Sequence, residues 1–130
     1  MRKILSFLAL TAFLACLGTV AGAQQTVDLS GTWIGFAERQ GNQDGLTLVL
    51  AKKDNTYTGT LTDEMGMFQG SEIRNFVQKA EAITFEFDGG GGGQTFTLKA
   101  ELKLSGETMK GTWTVVGVDD SGMIELTRKK

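Results

Sequence analysis

The sequence predicts an all-β fold, an eight-stranded antiparallel up-and-down barrel. Apolar and polar residues alternate with a period of two in eight successive runs, and turn residues separate the runs. No stretch between these runs keeps a helical period, so short hairpins and not crossover helices must join them. Closure of the sheet would also remove the exposed edges that a flat sheet of this kind presents.

The first 23 residues predict a secretory signal peptide that is not part of the barrel. A basic start and the apolar stretch 4–17 precede the small residues Ala21-Gly22-Ala23 of a cleavage site, and the stretch is too short and interrupted for a spanning helix. The alternative is a lipoprotein signal acylated at Cys16. We expect residues 24–130 to form one exported domain, periplasmic or secreted, without membrane insertion after cleavage.

Four runs make up the first half of the predicted barrel. The first run begins with the motif Gly31-Thr32-Trp33, and the leucines of Leu46-Thr47-Leu48-Val49-Leu50 give the second an apolar face. Glycine-rich and Asp-Asn turns end the runs. The predicted strands are residues 31–39, 45–53, 56–62 and 67–77.

Four further runs make up the second half. In the clearest of them, Phe96, Leu98 and Ala100 alternate with threonine and lysine, which predicts a strand with one face on a core and one in water. The predicted strands are residues 82–88, 94–104, 108–118 and 123–129. A weak internal repeat aligns Leu50 with Leu102, so two duplicated four-stranded halves are one interpretation, and ordinary hairpin similarity is the other.

Composition argues against several classes of function. The chain has no histidine, and its single cysteine, Cys16, lies in the predicted leader. Imidazole-based catalysis, histidine metal sites and cysteine nucleophiles are therefore not expected, so an enzyme is the least expected class and no cofactor is predicted. A net charge of −2 is poorly suited to binding nucleic acid or anionic lipid.

Strand parity directs a mostly apolar set of side chains into the barrel. An eight-stranded barrel is either filled by side chains or holds one small ligand. Small inward residues such as Gly35, Gly59 and Gly111 leave room for a neighbouring aromatic ring or for a ligand. No inward polar group is evident, so the ligand is expected to be apolar. The expected lining residues are Trp33, Tyr57, Phe85, Phe87, Phe96, Leu98 and Trp113.

The motif Gly31-Thr32-Trp33, together with Arg128 at the end of the last run, resembles the lipocalins and the wider calycin superfamily. The resemblance implies a lipocalin-like barrel in which the Trp33 indole packs across the floor and Arg128 lies over it. Gly31, Trp33 and Arg128 would then close the structure. Parity agrees, because Leu126 and Arg128 share a face and a closed barrel pairs its last strand with its first.

Two alternatives to an apolar ligand remain open. One is a protein-binding barrel, such as the small exported barrels that inhibit proteases, with recognition by residues 24–29. The other is a packed structural barrel without a ligand. Neither a partner nor an oligomeric state follows from the sequence.

The loops that alternate connections bring to one mouth of the barrel are acidic. Carboxylates could bind Ca²⁺ there, but no EF-hand spacing is present, so no metal site is predicted. The glycine run 89–93 predicts a mobile hairpin loop at this mouth, because it lacks the Lys-Ser/Thr of a phosphate-binding loop. The acidic residues are Asp44, Asp63, Glu64, Asp88, Asp119 and Asp120.

Overall fold

A computed structural model of the protein describes residues 27–91 and 93–130, and the predicted leader lies outside them. These residues form one antiparallel sheet that curls into a nearly closed barrel, so the predicted all-β class is confirmed. The strands are β1 (Gly31–Arg39), β2 (Asn42–Lys53), β3 (Thr56–Asp63), β4 (Ser71–Glu72), β5 (Arg74–Lys79), β6 (Ala82–Gly91), β7 (Gln94–Ser105), β8 (Thr108–Val115) and β9 (Ser121–Arg128).

The sheet closes by pairing its first strand with its last. The strand order is β4-β3-β2-β1-β9-β8-β7-β6-β5, and Trp33 of β1 lies opposite Arg128 of β9. The two edge strands, β4 and β5, are neighbours in sequence and flank Ile73, whose N–H donates to Gly59 O at 3.0 Å. Within residues 27–91 and 93–130 there is no helix, and hence none long and apolar enough to cross a membrane.

The predicted count of eight strands is wrong, because residues 67–77 are not one strand. Asp63 at the end of β3 binds Phe68 twice: the Asp63 N–H donates to Phe68 O at 3.0 Å, and Asp63 Oδ1 accepts from the Phe68 N–H at 2.8 Å. This pairing folds residues 64–70 into a loop. Ile73 then separates the short β4 from β5, and β5 is itself irregular, with a left-handed Asn75 (φ 56°) and a shift of register between Arg74 and Val77.

The core occupies the barrel interior. The period-two pattern placed most of its members correctly, because alternate side chains of a strand point to one face. The pattern missed Leu29 before β1 and Phe68 and Ile73 in the irregular segment. The buried residues are Leu29, Trp33, Leu46, Leu48, Leu50, Tyr57, Leu61, Phe68, Ile73, Ile83, Phe85, Phe87, Leu98, Ala100, Leu102, Leu104, Met109, Trp113, Ile124 and Leu126.

The strand glycines do not leave the room in the interior that was expected. A Cβ added at Gly35 would lie 1.8 Å from Glu125 O, and one at Gly111 would lie 1.9 Å from Glu101 O. The neighbouring backbone already fills that space at both positions. These glycines therefore let strands coil tightly against one another and provide no space for a ligand.

The two halves of the barrel share one hairpin register. Leu50 of β2 lies opposite Gly59 of β3, and Leu102 of β7 lies opposite Gly111 of β8. In both hairpins a Cβ at the glycine would strike the carbonyl oxygen of the residue before that leucine. The match is compatible with the duplication that the sequence repeat suggests.

Candidate functional site

The floor of the barrel is packed around Trp33, which is fully buried. Its Nε1 donates to Leu29 O at 3.0 Å, so the indole has no unpaired polar atom. The guanidinium carbon of Arg128 lies 4.5 Å from the centre of the ring. This is cation–π geometry, which contributes about 0.5–2 kcal/mol.

Arg128 also holds residues 28–30, the segment before β1, against the floor of the barrel. Its Nη1 donates to Ser30 O and its Nη2 to Asp28 O, both at 2.8 Å. Gly31 has a φ of +125°, a conformation that L side chains rarely adopt. A Cβ at Gly31 would come within 3.6 Å of Arg128 Nη1. The geometry therefore places the three expected closure residues, Gly31, Trp33 and Arg128, at one end of the barrel.

Tyr57 belongs to the same floor. The Leu29 N–H donates to Tyr57 Oη at 2.8 Å, and Tyr57 Oη donates to Asp28 Oδ1 at 3.3 Å. The Ser30 amide and hydroxyl also donate to Asp28 and, with Tyr57, hold the pKa of that carboxyl below its ordinary value. Since Leu29 is fully buried here and Asp28 bonds to Tyr57, Asp28 and Leu29 are part of the folded floor.

A cavity of about 570 Å³ opens at the opposite end of the barrel. This volume falls within the range of about 300–1,000 Å³ that is usual for small-molecule pockets. Its wall is mostly apolar and its rim polar. The bordering residues are Ala37, Glu38, Arg39, Gln40, Asn42, Asp44, Leu46, Leu61, Met65, Met67, Phe68, Phe87, Gln94, Phe96, Leu98, Trp113, Val115, Val118, Asp120 and Ile124.

The cavity brings together some of the expected lining residues and not others. Phe87, Phe96, Leu98 and Trp113 border it. Three others are not among its bordering residues: Trp33, Tyr57 and Phe85. Those three lie in the packed part, where Phe76 stacks on Phe85 at 6.0 Å and contacts Tyr57 at 5.1 Å between ring centroids. Period-two parity predicts which face a side chain joins but not its depth along the barrel axis.

The loop 64–70 supplies wall residues that strand parity missed. Met65, Met67 and Phe68 all border the cavity. Phe68 meets Phe87 edge-on, with ring centroids 5.1 Å apart. It fits because position 89 is glycine: a Cβ there would lie 2.0 Å from the Phe68 ring. Three apolar residues within four positions of an otherwise polar loop are the sequence signal that could have identified this wall.

The glycine run is partly strand, contrary to the predicted hairpin loop. β6 continues to Gly91, which pairs with Gln94 of β7. The Gly90 N–H donates to Met67 O at 3.4 Å and so joins this end of β6 to the loop 64–70. Gly89 leaves room for the Phe68 ring, and the Gly90–Met67 hydrogen bond links β6 to the loop in the barrel wall.

Trp113 carries an unpaired donor beside the cavity. Its indole packs against Gly122, where a Cβ would lie 2.6 Å from Trp113 Cζ2. Its Nε1 is buried and has no acceptor among the described residues. Buried indole N–H groups ordinarily have a partner, so this unpaired donor is an exception within the barrel wall.

Two carboxyl-containing contacts mark the mouth. Arg39 Nε donates to Asp120 Oδ1 at 3.1 Å, and Arg39 Nη2 lies 3.0 Å from Asp120 Oδ2 in the same ion pair. Asp44 faces Asp63, and burial together with that neighbouring carboxyl raises the pKa of Asp44 to about 6.

The Asp44–Asp63 pair also holds the loop 64–70. Asp44 Oδ1 accepts from the Met65 N–H at 3.1 Å, and Asp63 Oδ1 accepts from the Phe68 N–H at 2.8 Å. Asp63 Oδ2 is buried without a hydrogen-bond donor among the described residues. Because Asp44 both has a raised pKa and accepts from Met65, its protonation is coupled to the loop.

We expect the Asp44–Asp63 pair to make stability depend on pH. The folded chain raises the pKa of Asp44 from 3.8 to about 6, so its contribution is complete below about pH 4 and is lost as pH rises through about 6. Asp44→Asn should therefore raise the melting temperature relative to wild type by a few degrees more at about pH 8 than at about pH 5. Thermal denaturation at both pH values measures this difference.

The exposed Glu72→Gln removes one negative charge elsewhere and serves as the control for Asp44→Asn. An equal effect of Asp44→Asn at both pH values would contradict the raised pKa of Asp44.

The other acidic loop residues do not converge. Asp88 binds Arg74 with Oδ1 to Nη2 at 2.7 Å, and this ion pair lowers the pKa of Asp88. Among residues 27–91 and 93–130 there is no group of three or more acidic residues that could hold a metal ion.

Comparisons of the chain with protein-family models, with curated proteins and with solved structures found no match.

Proposed function

We propose that this protein is an exported, non-enzymatic barrel that binds a small, largely apolar molecule in its open cavity. The cavity of about 570 Å³ is the observation that carries this proposal. Its volume favours a ligand over a packed structural barrel. The leader-like residues 1–23 support export.

The division of the barrel into two ends supports the same function. Trp33 and Arg128 close the floor, so a ligand would enter from the mouth. Phe96, Leu98 and Val115 form an apolar wall, and the Trp113 side chain borders the same cavity. A closed floor under an apolar pocket is also what the lipocalin-like resemblance implies.

A cavity-filling substitution tests the proposal. Ala37 borders the cavity from β1, so Ala37→Phe should occupy part of it and weaken binding of a neutral probe, decanol, by about tenfold or more. Calorimetric titration measures the affinity. We also expect decanol to change the fluorescence of Trp113, which borders the cavity.

Ile34→Phe is the matched control. Ile34 lies on the same strand but on the outer face, where 43% of it is exposed. This variant should bind decanol as wild type does. The proposal fails if neither decanol nor N-phenylnaphthylamine binds, or if folded Ala37→Phe binds both as well as wild type does.

A further inference from the structure

The mouth of the cavity has an uneven charge. Four charged residues border it: Glu38, Arg39, Asp44 and Asp120. Arg39 is the one cation among the described residues that border the cavity, and three carboxyl groups accompany it. A ligand with a polar head at the mouth therefore meets more negative than positive charge.

The Arg39 guanidinium is already paired with the Asp120 carboxylate. Its Nε donates to Asp120 Oδ1 at 3.1 Å, and its Nη2 lies 3.0 Å from Asp120 Oδ2 in the same ion pair. A ligand carboxylate would have to displace Asp120 to gain this cation. The remaining charge at the rim comes from Glu38 and Asp44.

The groups around Asp44 are acidic as well. From β3 it faces Asp63, and in the adjoining loop a Cβ at Gly45 would lie 2.6 Å from the Glu64 carboxyl carbon. On β1 it pairs with Ala37, whose neighbour along the strand is Glu38. Arg39, next on that strand, is bound by Asp120. Because the pKa of Asp44 is raised to about 6, Asp44 becomes negatively charged as pH rises through that value.

From this arrangement, and resting on the proposed ligand-binding function, we infer that the cavity selects apolar molecules with a cationic ammonium head and disfavours those with a carboxylate. The apolar chain occupies the wall formed by Phe96, Leu98 and Val115. The head remains at the rim beside Asp44, where its charge is favourable. A carboxylate head at the same place is repelled and finds Arg39 engaged.

A matched series of probes tests this selectivity: decylamine, decanol and decanoate share one chain and differ in the charge of the head. At low salt and about pH 8 we expect decylamine to bind about tenfold or more tightly than decanoate, with decanol between them. The preference should shrink at high salt, because exposed charges are screened. It should also shrink at about pH 5, where Asp44 holds its proton.

Two variants locate the origin of the preference. Asp44→Asn should reduce the ratio of decylamine to decanoate affinity severalfold, and Asp120→Asn should release Arg39 and strengthen decanoate binding. Glu101→Gln removes one charge at an exposed position of β7 and should leave the ratio unchanged. Decanol affinity in each variant shows whether the cavity itself is intact.

The outcomes separate the two proposals. Decanoate binding as tightly as decylamine, or a preference that neither mouth variant alters, would overturn the selectivity and leave the ligand-binding function standing. Absence of binding by all three probes would overturn the binding function itself, and the selectivity with it.

Discussion

Trp33→Ala should destabilise the protein by about 3–5 kcal/mol, which is the usual cost of truncating a buried aromatic ring. The ring is fully buried at the barrel floor, its Nε1 bonds to Leu29 O at 3.0 Å, and Arg128 lies 4.5 Å above it. The substitution leaves a cavity and an unpaired carbonyl. A fall in melting temperature of roughly 15 °C is expected for a domain of this size, and denaturation in urea measures the free energy.

The control for Trp33→Ala is Ile34→Ala, at the next position of β1 but on the outer face. Its side chain is half exposed, so the loss should be about 1 kcal/mol or less. A folded Trp33→Ala variant with near-native stability would contradict the role of this residue as the floor of the barrel.

Gly35→Ala should destabilise the protein by about 3 kcal/mol, which is near the upper end of overpacking costs. The added Cβ would lie 1.8 Å from Glu125 O and 2.8 Å from Leu126 Cα. Both are backbone atoms of β9, so the strand itself must move. This contact is the pairing that joins the first strand to the last, and its disruption would open the barrel. Chemical denaturation again measures the loss.

Gly45→Ala offers a matched control on the neighbouring strand. Its Cβ would approach Glu64 Cδ to 2.6 Å, but that atom ends a flexible side chain that can rotate away. We expect a loss of less than about 1 kcal/mol. Equal losses at Gly35 and Gly45 would show that backbone contact is not the decisive factor.

Much of the fold could be predicted from local pattern. The first predicted strand, 31–39, has the bounds of β1, and the strand predicted at 94–104 ends one residue before β7 does. Alternation is a reliable signal in these strands because one face packs on the core and the other meets water. The prediction failed at residues 67–77, where Asp63 binds Phe68 and the hydrogen bonds from Gly90 to Met67 and from Ile73 to Gly59 override the alternation.

Less of the candidate site could be predicted. Parity placed Phe87 and Phe96 on the inward face, and both border the cavity. Trp33 shares that face but lies in the floor. The depth of a residue along the barrel depends on strand stagger, which the sequence pattern does not encode. The wall formed by Met67 and Phe68 depends on a loop conformation fixed by contacts far along the chain.

The sequence by itself therefore determined the strand pattern, the inward face of most strands and the expected partnership of Trp33 with Arg128. The pattern and the inward face follow from short-range alternation, whereas the partnership is what the lipocalin-like resemblance implies and agrees with the pairing that barrel closure requires. The tertiary structure alone decided that the backbone of β9 packs against Gly35, that the cavity lies at one end of the barrel, and that Asp120 forms an ion pair with Arg39. Those features depend on distances between strands, which are set by how tightly the sheet coils. A local sequence pattern does not determine these distances.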